Sequence, residues 1–299
     1  MCIRDRTCYG ACDLADLQAK QLGCDVLLHY GHADMGLPTL VPTLYVEARV
    51  KRITLKAVGL FAKRVHGSRI GLFTTVQYVE HLPRIVEKLR ELGLKPVIGK
   101  PGPRTKYRGQ VLGCDFSCVK QISKKCEALL YIGTGRFHPL GCAIATRKPV
   151  YIANPLTGKL SQIGGLSEFL QSRKAAISKA ASGRQFGVIV STKRGQARYA
   201  LALQLVEKLI THGRTAELVV LDEVLPEHLA DYSFDTLICT ACPRIPIDDS
   251  PRYKVPLLTP FELSVMLGER PLEDYQMDEI VQTDFWVWDK IRFTQARIN

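Results

Sequence analysis

The sequence predicts an α/β protein built from three related parallel-sheet units. Three observations carry that expectation. A strand–helix–strand plan recurs along the chain, its strands are short unbroken apolar runs, and its helices carry apolar residues three and four positions apart. Alternation of this kind implies parallel sheets covered by helices. At 299 residues the chain is long enough for two or three compact units, each burying its own core.

The first copy is "YGACDLADLQAKQLGCDVLLHYGHADM", read as a helix followed by a strand that ends near His32, with "PTLYVEA" as a further β-type run. The second opens at "RIGLFTTVQYVEHLPRIVEKLRELGLKPVIG". A short apolar run is followed by Leu82, Ile85, Val86, Leu89 and Leu92 at helical spacing, then by another apolar run. It continues through "VLGCDFSCVKQISKKCEALLYIGTGRF", with a strand ending near Thr134, to "KPVYIANP". The third opens at "FGVIVSTKRGQARYALALQLVEKLITHGRTAELVVL", where Leu201, Leu205, Val206 and Leu209 form the helical stripe. It continues through "VLDEVLPEHLADYSFDTLICTACPRI", with a strand ending near Cys242, to "KVPLLTP".

Superimposing the copies makes Cys12, Cys114 and Asp222 equivalent, each 13 positions before an acidic residue, Asp25, Glu127 or Asp235. The expected units are Met1 to His66, Gly67 to Gly183, and Arg184 to Asn299. The first lacks the strand and helix that open the other two.

Forty-one basic against 29 acidic residues give a formal charge of +12, which favours an anionic partner. The signal is diffuse, because basic residues are spread through every segment. The densest set, Lys51, Arg52, Lys56, Lys63 and Arg64, reads as the solvated face of one helix. Ten cysteines without a hydrophobic signal segment argue against a secreted disulfide framework and for a reducing, cytoplasmic compartment. Free thiols, metal or cluster ligation remain open. No apolar run approaches the roughly 20 residues of a membrane-spanning helix.

Cys8 and Cys12 are spaced as in the first half of the CxxxCxxC loop of ordinary radical enzymes that use S-adenosylmethionine, yet Ala15 stands where the third cysteine belongs. Cys118 makes a second CxxxC with Cys114, and Gln121 ends that likeness too. Ligands of open parallel sheets gather outside the carboxyl ends of the strands. Cys12, Cys114 and Cys242 all fall on that rim. If the three units face one another in a pseudo-threefold arrangement, one cysteine from each meets at a central cluster site. Three thiolates on a 4Fe-4S cluster leave one iron open to a substrate. Cys24, Cys126 and Cys239 read as core residues, as free cysteines usually do. The Cys239–Cys242 pair is followed by "PRIPIDD" and not by the helix of a thioredoxin-type redox site.

The stretches "YGACD", "LLHYGH", "GQVLGC", "GTGRFHPLG", "STKRGQ" and "TACPRIPIDD" together resemble the archaeal diphthamide synthase family, the 2-(3-amino-3-carboxypropyl)histidine synthases. The resemblance covers almost the whole chain. It implies a homodimer of three-domain subunits, each holding one 4Fe-4S cluster through Cys12, Cys114 and Cys242. It implies reductive cleavage of S-adenosylmethionine between sulfur and the γ-carbon, with 5'-methylthioadenosine released. The resulting 3-amino-3-carboxypropyl radical then adds to C2 of a histidine in translation elongation factor 2. The electron comes from an external donor. No membrane and no direct nucleic-acid partner are expected.

Further residues fall to substrate binding on the same resemblance. Gly133, Gly135, Phe137 and His138 lie in a glycine-rich turn after a strand, where backbone N–H groups approach a carboxylate or ribose closely; a plain turn is the alternative. Lys193, Gly195 and Gln196 lead from a strand into a helix, where the lysine and the helix N-terminus suit a carboxylate; capping by Ser191 or Thr192 is the alternative. His32 occupies in the first unit the place of Cys242 in the third, as a substrate ligand or a hydrogen-bonded structural histidine. Asp248 and Asp249 suit a substrate amine or the target imidazole, or cap the turn before Pro251. Two rival functions stand beside this one: a quinolinate synthase-like dehydratase, which also holds a three-cysteine cluster, and a non-catalytic basic binding module.

Overall fold

The structure, a computed structural model, describes residues 2–5, 7–65 and 69–284. Helix α1 (Asp16–Gln21) precedes strand β1 (Leu27–Tyr30), which pairs in parallel with β2 (Thr43–Val46). These two strands form a sheet of their own. Because side chains alternate along a strand, His29 points inward and is buried, while Leu28, Tyr30, Leu44 and Val46 are exposed. Helix α2 (Lys56–Ala62) follows and places Ala57, Val58, Phe61 and Ala62 against Ile70 and Leu72 of the next sheet. The basic set is solvent-exposed as expected, but only Lys56 of it lies within α2, so the helix is shorter than the spacing suggests.

The second sheet contains β3 (Arg69–Thr74), α3 (Leu82–Glu91), β4 (Lys95–Val97), α4 (Ser117–Ser123), β5 (Ala128–Ile132), α5 (Phe137–Thr146), β6 (Val150–Ala153) and β7 (Leu160–Gln162). Its strand order is β4-β3-β5-β6-β7, parallel except for β7. The third follows α6 (Leu166–Ala181) and contains β8 (Gln185–Ser191), α7 (Tyr199–Thr211), β9 (Thr215–Leu221), β10 (Thr236–Cys239), β11 (Leu257–Leu258) and α8 (Pro260–Met266). Its order is β11-β10-β8-β9, all parallel. Counted within each sheet, β4-β3-β5-β6 and β9-β8-β10-β11 are the same order, and β1–β2 corresponds to the last two strands of it. The repeat seen in the sequence is therefore a repeat of topology. The 66/67 junction and residue 299 lie outside the described residues.

Strands β3, β5, β8 and β10 read as continuous apolar runs because both of their faces are covered. Along β3 and β5, Phe73, Leu129 and Tyr131 face α4 and α5, whereas Ile70, Leu72, Leu130 and Ile132 face α2 and α3. Each fully buried side chain of this size contributes about 1.5–3 kcal/mol. The α3 stripe buries Leu82, Ile85 and Leu89, and Leu92 falls just past the helix end and stays exposed. In α7 the buried face is Tyr199, Ala202, Leu205 and Leu209.

One buried ion pair ties α6 to the third sheet. Arg173 of α6 donates from Nε to Oε1 of Glu262 at 2.6 Å and from Nη2 to Oε2 at 2.7 Å. Its remaining donors reach the carbonyls of Pro246 and Leu257. Glu262 also caps α8 together with Thr259 and accepts from Tyr275 Oη. Every group in the pair is satisfied, which is the condition under which a buried charge pair is tolerated. The bond to Pro246 anchors the turn that follows Cys242. Among the described residues, no helix is long and apolar enough to cross a membrane.

Candidate metal and substrate site

Cys12 lies in the turn before α1, Cys114 in the turn before α4, and Cys242 beyond the end of β10. The segment leading to Cys114 is drawn to the carboxyl end of β3, where the N–H of Val111 donates to the carbonyl of Thr74. Cys114 and Cys242 thus stand beyond strand ends of two different sheets, and Cys12 lies ahead of the helix that leads into the two-stranded one.

Gly195 and Gln196 join the first and third of these. The N–H of Gly195 donates to the carbonyl of Cys12 at 3.0 Å. A Cβ on residue 195 would stand 2.4 Å from the Cα of Cys12, so only glycine permits the approach. Gln196 Nε2 donates to Cys12 Sγ at 3.3 Å, and its Oε1 accepts from the Cys242 N–H at 3.2 Å. Arg104, buried, closes the other side by donating to the carbonyls of Gly195 (2.5 Å) and Ile280 (3.1 Å). The Ile280 N–H in turn donates to the carbonyl of Cys114 at 3.0 Å.

Cys114 senses both other thiols, and Cys242 senses Cys12. Burial comes first and pushes Cys114 and Cys242 up to about 12; the charges of Cys12 and Cys242 add to the shift at Cys114, and that of Cys12 adds to it at Cys242. Burial also raises Cys12, against the hydrogen bond from Gln196 and the charge of Arg104. Without a cation the thiols are therefore protonated at neutral pH, and a bound metal must displace protons to form thiolates.

The consequence for stability has a definite sign. A thiol whose pKa is higher in the folded than in the unfolded chain stabilises the fold below the unfolded value, near 9.0, and that contribution is lost as pH rises toward about 12. The metal-free protein is expected to lose denaturant resistance over this interval. Cys114→Ala should flatten the profile in a parallel titration; an unchanged slope would remove the thiols as the cause.

A second set of expected residues meets at the start of α5. Phe137 opens the helix, with the guanidinium of Arg244 over its ring at 5.5 Å. The ring of His138 lies against Phe137 and Tyr131, and burial, then the charge of Arg244, push its pKa down to about 4. His138 is neutral at pH 7. Asp248 pairs with Arg244 at 2.6 Å, so the "GRFHPLG" and "RIPIDD" stretches are neighbours. Asp249 turns instead toward Arg252, at 4.0 Å. Gly133 is packed against the Tyr131 ring, and Gly135 takes the left-handed conformation, φ +77°, that the strand-to-helix turn requires.

Lys193 is buried and its ammonium is shared by Asp13 (3.0 Å) and Asp222 (3.2 Å). Asp222, equivalent to Cys12 and Cys114 in the repeat, thus serves as an ion-pair partner. The expected helix N-terminus is not beside Lys193. Helix α7 begins only at Tyr199, and the N–H groups of Tyr199 and Ala200 donate to the carboxylate of Asp284, which fills the place expected for a substrate carboxylate. Ser191 does cap the local turn, accepting from the Lys193 N–H.

His32, two residues beyond β1, stands beside His29 and Cys8. Burial lowers the pKa of both histidines. All ten cysteines are free thiols. Cys118, Cys126 and Cys239 are buried as expected, whereas Cys24 is only part-buried because it follows the end of α1.

Three features of the site had no expectation attached. Arg104 sits in "KPGPRTKYRG", where prolines and glycines announce a loop but not which side chain turns inward. Arg244 is adjacent to the expected aspartates, and its i,i+4 spacing to Asp248 was the available signal. Residues 277–284 return to cover Cys114, with Glu279 accepting from the Phe116 N–H at 2.8 Å.

An α/β scaffold that carries part-buried cysteines and charged, glycine-rich turns beyond its strand ends has the outline of an enzyme. The family model described as putative diphthamide synthesis protein matches residues 1–276, and the chain belongs to this family of enzymes. It is 42% identical to the 2-(3-amino-3-carboxypropyl)histidine synthase of Pyrococcus horikoshii over 91% of this chain and 79% of that protein. The enzyme of the same description from Methanocaldococcus jannaschii is 30% identical over 93% of this chain and 77% of its own length. The crystal structure of Dph2 from Pyrococcus horikoshii superimposes with a TM-score of 0.87 at 40% identity, covering 94% of this chain and 81% of that one. The structure of the same protein with a 4Fe-4S cluster gives 0.86.

Proposed function

We propose that this protein transfers the 3-amino-3-carboxypropyl group of S-adenosylmethionine to C2 of a histidine of translation elongation factor 2, the first step toward diphthamide, with a 4Fe-4S cluster held by Cys12, Cys114 and Cys242. The observation that carries the reading is the set of bonds that ties the three part-buried cysteines together: Gln196 bonds both Cys12 and Cys242, and Arg104 links the carbonyl of Gly195 to that of Ile280, whose N–H bonds Cys114. The donor set fits the group. Three soft sulfur ligands suit iron–sulfur chemistry, and three ligands leave one position for a substrate.

When bound, the cluster supplies one electron to the bond between sulfur and the γ-carbon, so that 5'-methylthioadenosine departs. The chain's own residues do the rest. Gln196 holds Cys12 and Cys242 in register, and Arg104 places a positive charge beside Cys12 and Cys114 that favours their thiolates. His138, kept neutral, offers a hydrogen bond without a charge. We assign it, with Gly133, Gly135, Phe137, Asp248 and Asp249, to the side of the site that orients S-adenosylmethionine. Lys193, with Gly195 and Gln196, is assigned to the opposite side, whereas His32 turns to Cys8 and His29. For Lys193 to take a substrate carboxylate, its pair with exposed Asp222 must open, while buried Asp13 stays in place. A homodimer, an external one-electron donor and a cytoplasmic setting complete the proposal.

Anaerobic incubation with dithionite, S-adenosylmethionine and elongation factor 2, followed by mass spectrometry of the factor, tests it. The expected result is one aminocarboxypropyl group on one histidine, with methylthioadenosine in equal amount. An unmodified factor from cluster-loaded protein would overturn the reading.

A further inference from the structure

We propose that Cys8, His29 and His32 form a second metal site, which takes one zinc ion independently of the three-cysteine set. Among the described residues this is the group whose ligand atoms all lie within 4.8 Å of one another. Cys8 Sγ is 3.9 Å from Nε2 of His29 and 3.9 Å from Nδ1 of His32, and the two nitrogens are 3.1 Å apart.

These are the edges of a tetrahedral face. Metal–sulfur and metal–nitrogen bonds of about 2.3 and 2.05 Å at tetrahedral angles put the nitrogens about 3.4 Å apart and each about 3.6 Å from the sulfur. The observed triangle differs from that one by roughly 0.3 Å on each edge, an adjustment within reach of small side-chain rotations. A hydrogen bond between the two imidazoles would explain the short nitrogen–nitrogen distance alone. It gives no reason for a sulfur equidistant from both, at the long end of thiol–imidazole hydrogen bonds.

The three ligands are held before any ion arrives. His29 is set inward by strand alternation in β1 and lies edge-on to Tyr45, with ring centres 5.5 Å apart. The turn between the histidines is pinned at Gly31, whose N–H donates to Val46 and whose carbonyl accepts from Gln77 Nε2. Cys8 and His32 are part-exposed, so a fourth position remains open to water.

Two imidazoles and one thiolate select a zinc-like ion over magnesium or calcium. Cys8 is four residues from Cys12, yet its sulfur turns to the histidines while that of Cys12 turns to Gln196. The two sites are neighbours with separate ligands.

The test uses the full chain with Cys12, Cys114 and Cys242 all changed to alanine, so neither the cluster nor the proposed reaction enters the readout. Cobalt titration should give one equivalent bound, with a thiolate-to-cobalt charge-transfer band. Cys8→Ser and His32→Ala on this background should each weaken binding by more than about 100-fold, the upper range for losing only an outer-shell partner. Circular dichroism checks that the variants fold. Should the triple variant itself fail to fold, zinc is measured in the protein with its three cysteines intact, where about one equivalent beyond iron and sulfide is expected, and Cys8→Ser should remove it. Absence of the band, or a band that survives without Cys8, overturns the proposal; so does intact protein without that zinc.

Discussion

Changing Cys12, Cys114 or Cys242 singly to alanine is expected to empty the cluster site and to bring modification of elongation factor 2 below detection. Iron and acid-labile sulfide should fall from about four of each per chain to near zero after anaerobic reconstitution. The three losses are expected to be equal, because two thiolates leave a cubane with two unheld corners. Cys24→Ala supplies the contrast. That sulfur is part-buried at the end of α1 and outside the set, so its removal should leave iron content unchanged and move stability by less than about 1 kcal/mol. Full iron and activity in any one of the three variants would exclude that residue as a ligand.

Gly195→Ala is expected to be nearly as damaging, although residue 195 carries no functional group. The added carbon would fall 2.4 Å from the Cα, 2.5 Å from the Cβ and 3.0 Å from the carbonyl oxygen of Cys12, all atoms that move only with the backbone. Overpacking of this kind costs about 1–3 kcal/mol. Here it is relieved by pushing Cys12 away from its partners, which also lengthens the bond from Gln196. Cluster occupancy should therefore drop more than thermal stability does. Gly59→Ala is the matching control: a carbon there meets nothing within 4 Å inside α2, and alanine favours a helix by roughly 0.5–1 kcal/mol. If Gly195→Ala reconstitutes to full iron, the close approach is not what holds Cys12.

The sheets were legible in the sequence because their strands are covered on both faces. "IGLFT", "ALLYI" and "FGVIV" carry an apolar signal that does not depend on which face is examined. The repeat made Cys12 and Cys114 equivalent without any structural input. What the sequence concealed was of two kinds. Strand β7, "LSQ", is three residues of a part-exposed edge, too short and too polar to register a period. Contacts between distant segments leave no local trace either. Neither Arg104 reaching Gly195 and Ile280, nor Asp284 capping α7, follows from neighbours in the chain. The expectation of an open helix N-terminus near Lys193 failed for that reason: the orphan donors were real, but a carboxylate 85 residues away had already satisfied them.

The way Cys12 is held also fixes an order of events during synthesis. Its own two-stranded ribbon, with Leu28, Tyr30, Leu44 and Val46 facing solvent, is marginal by itself, and its firmest attachments are to residues 195 and 196. A nascent chain therefore emerges with Cys12 unmoored, and that thiol waits until nearly two hundred further residues have been made before it finds its clasp. Under the proposed ligand set, iron delivery is in this way deferred until residue 242 has been made, since no earlier fragment brings all three sulfurs together.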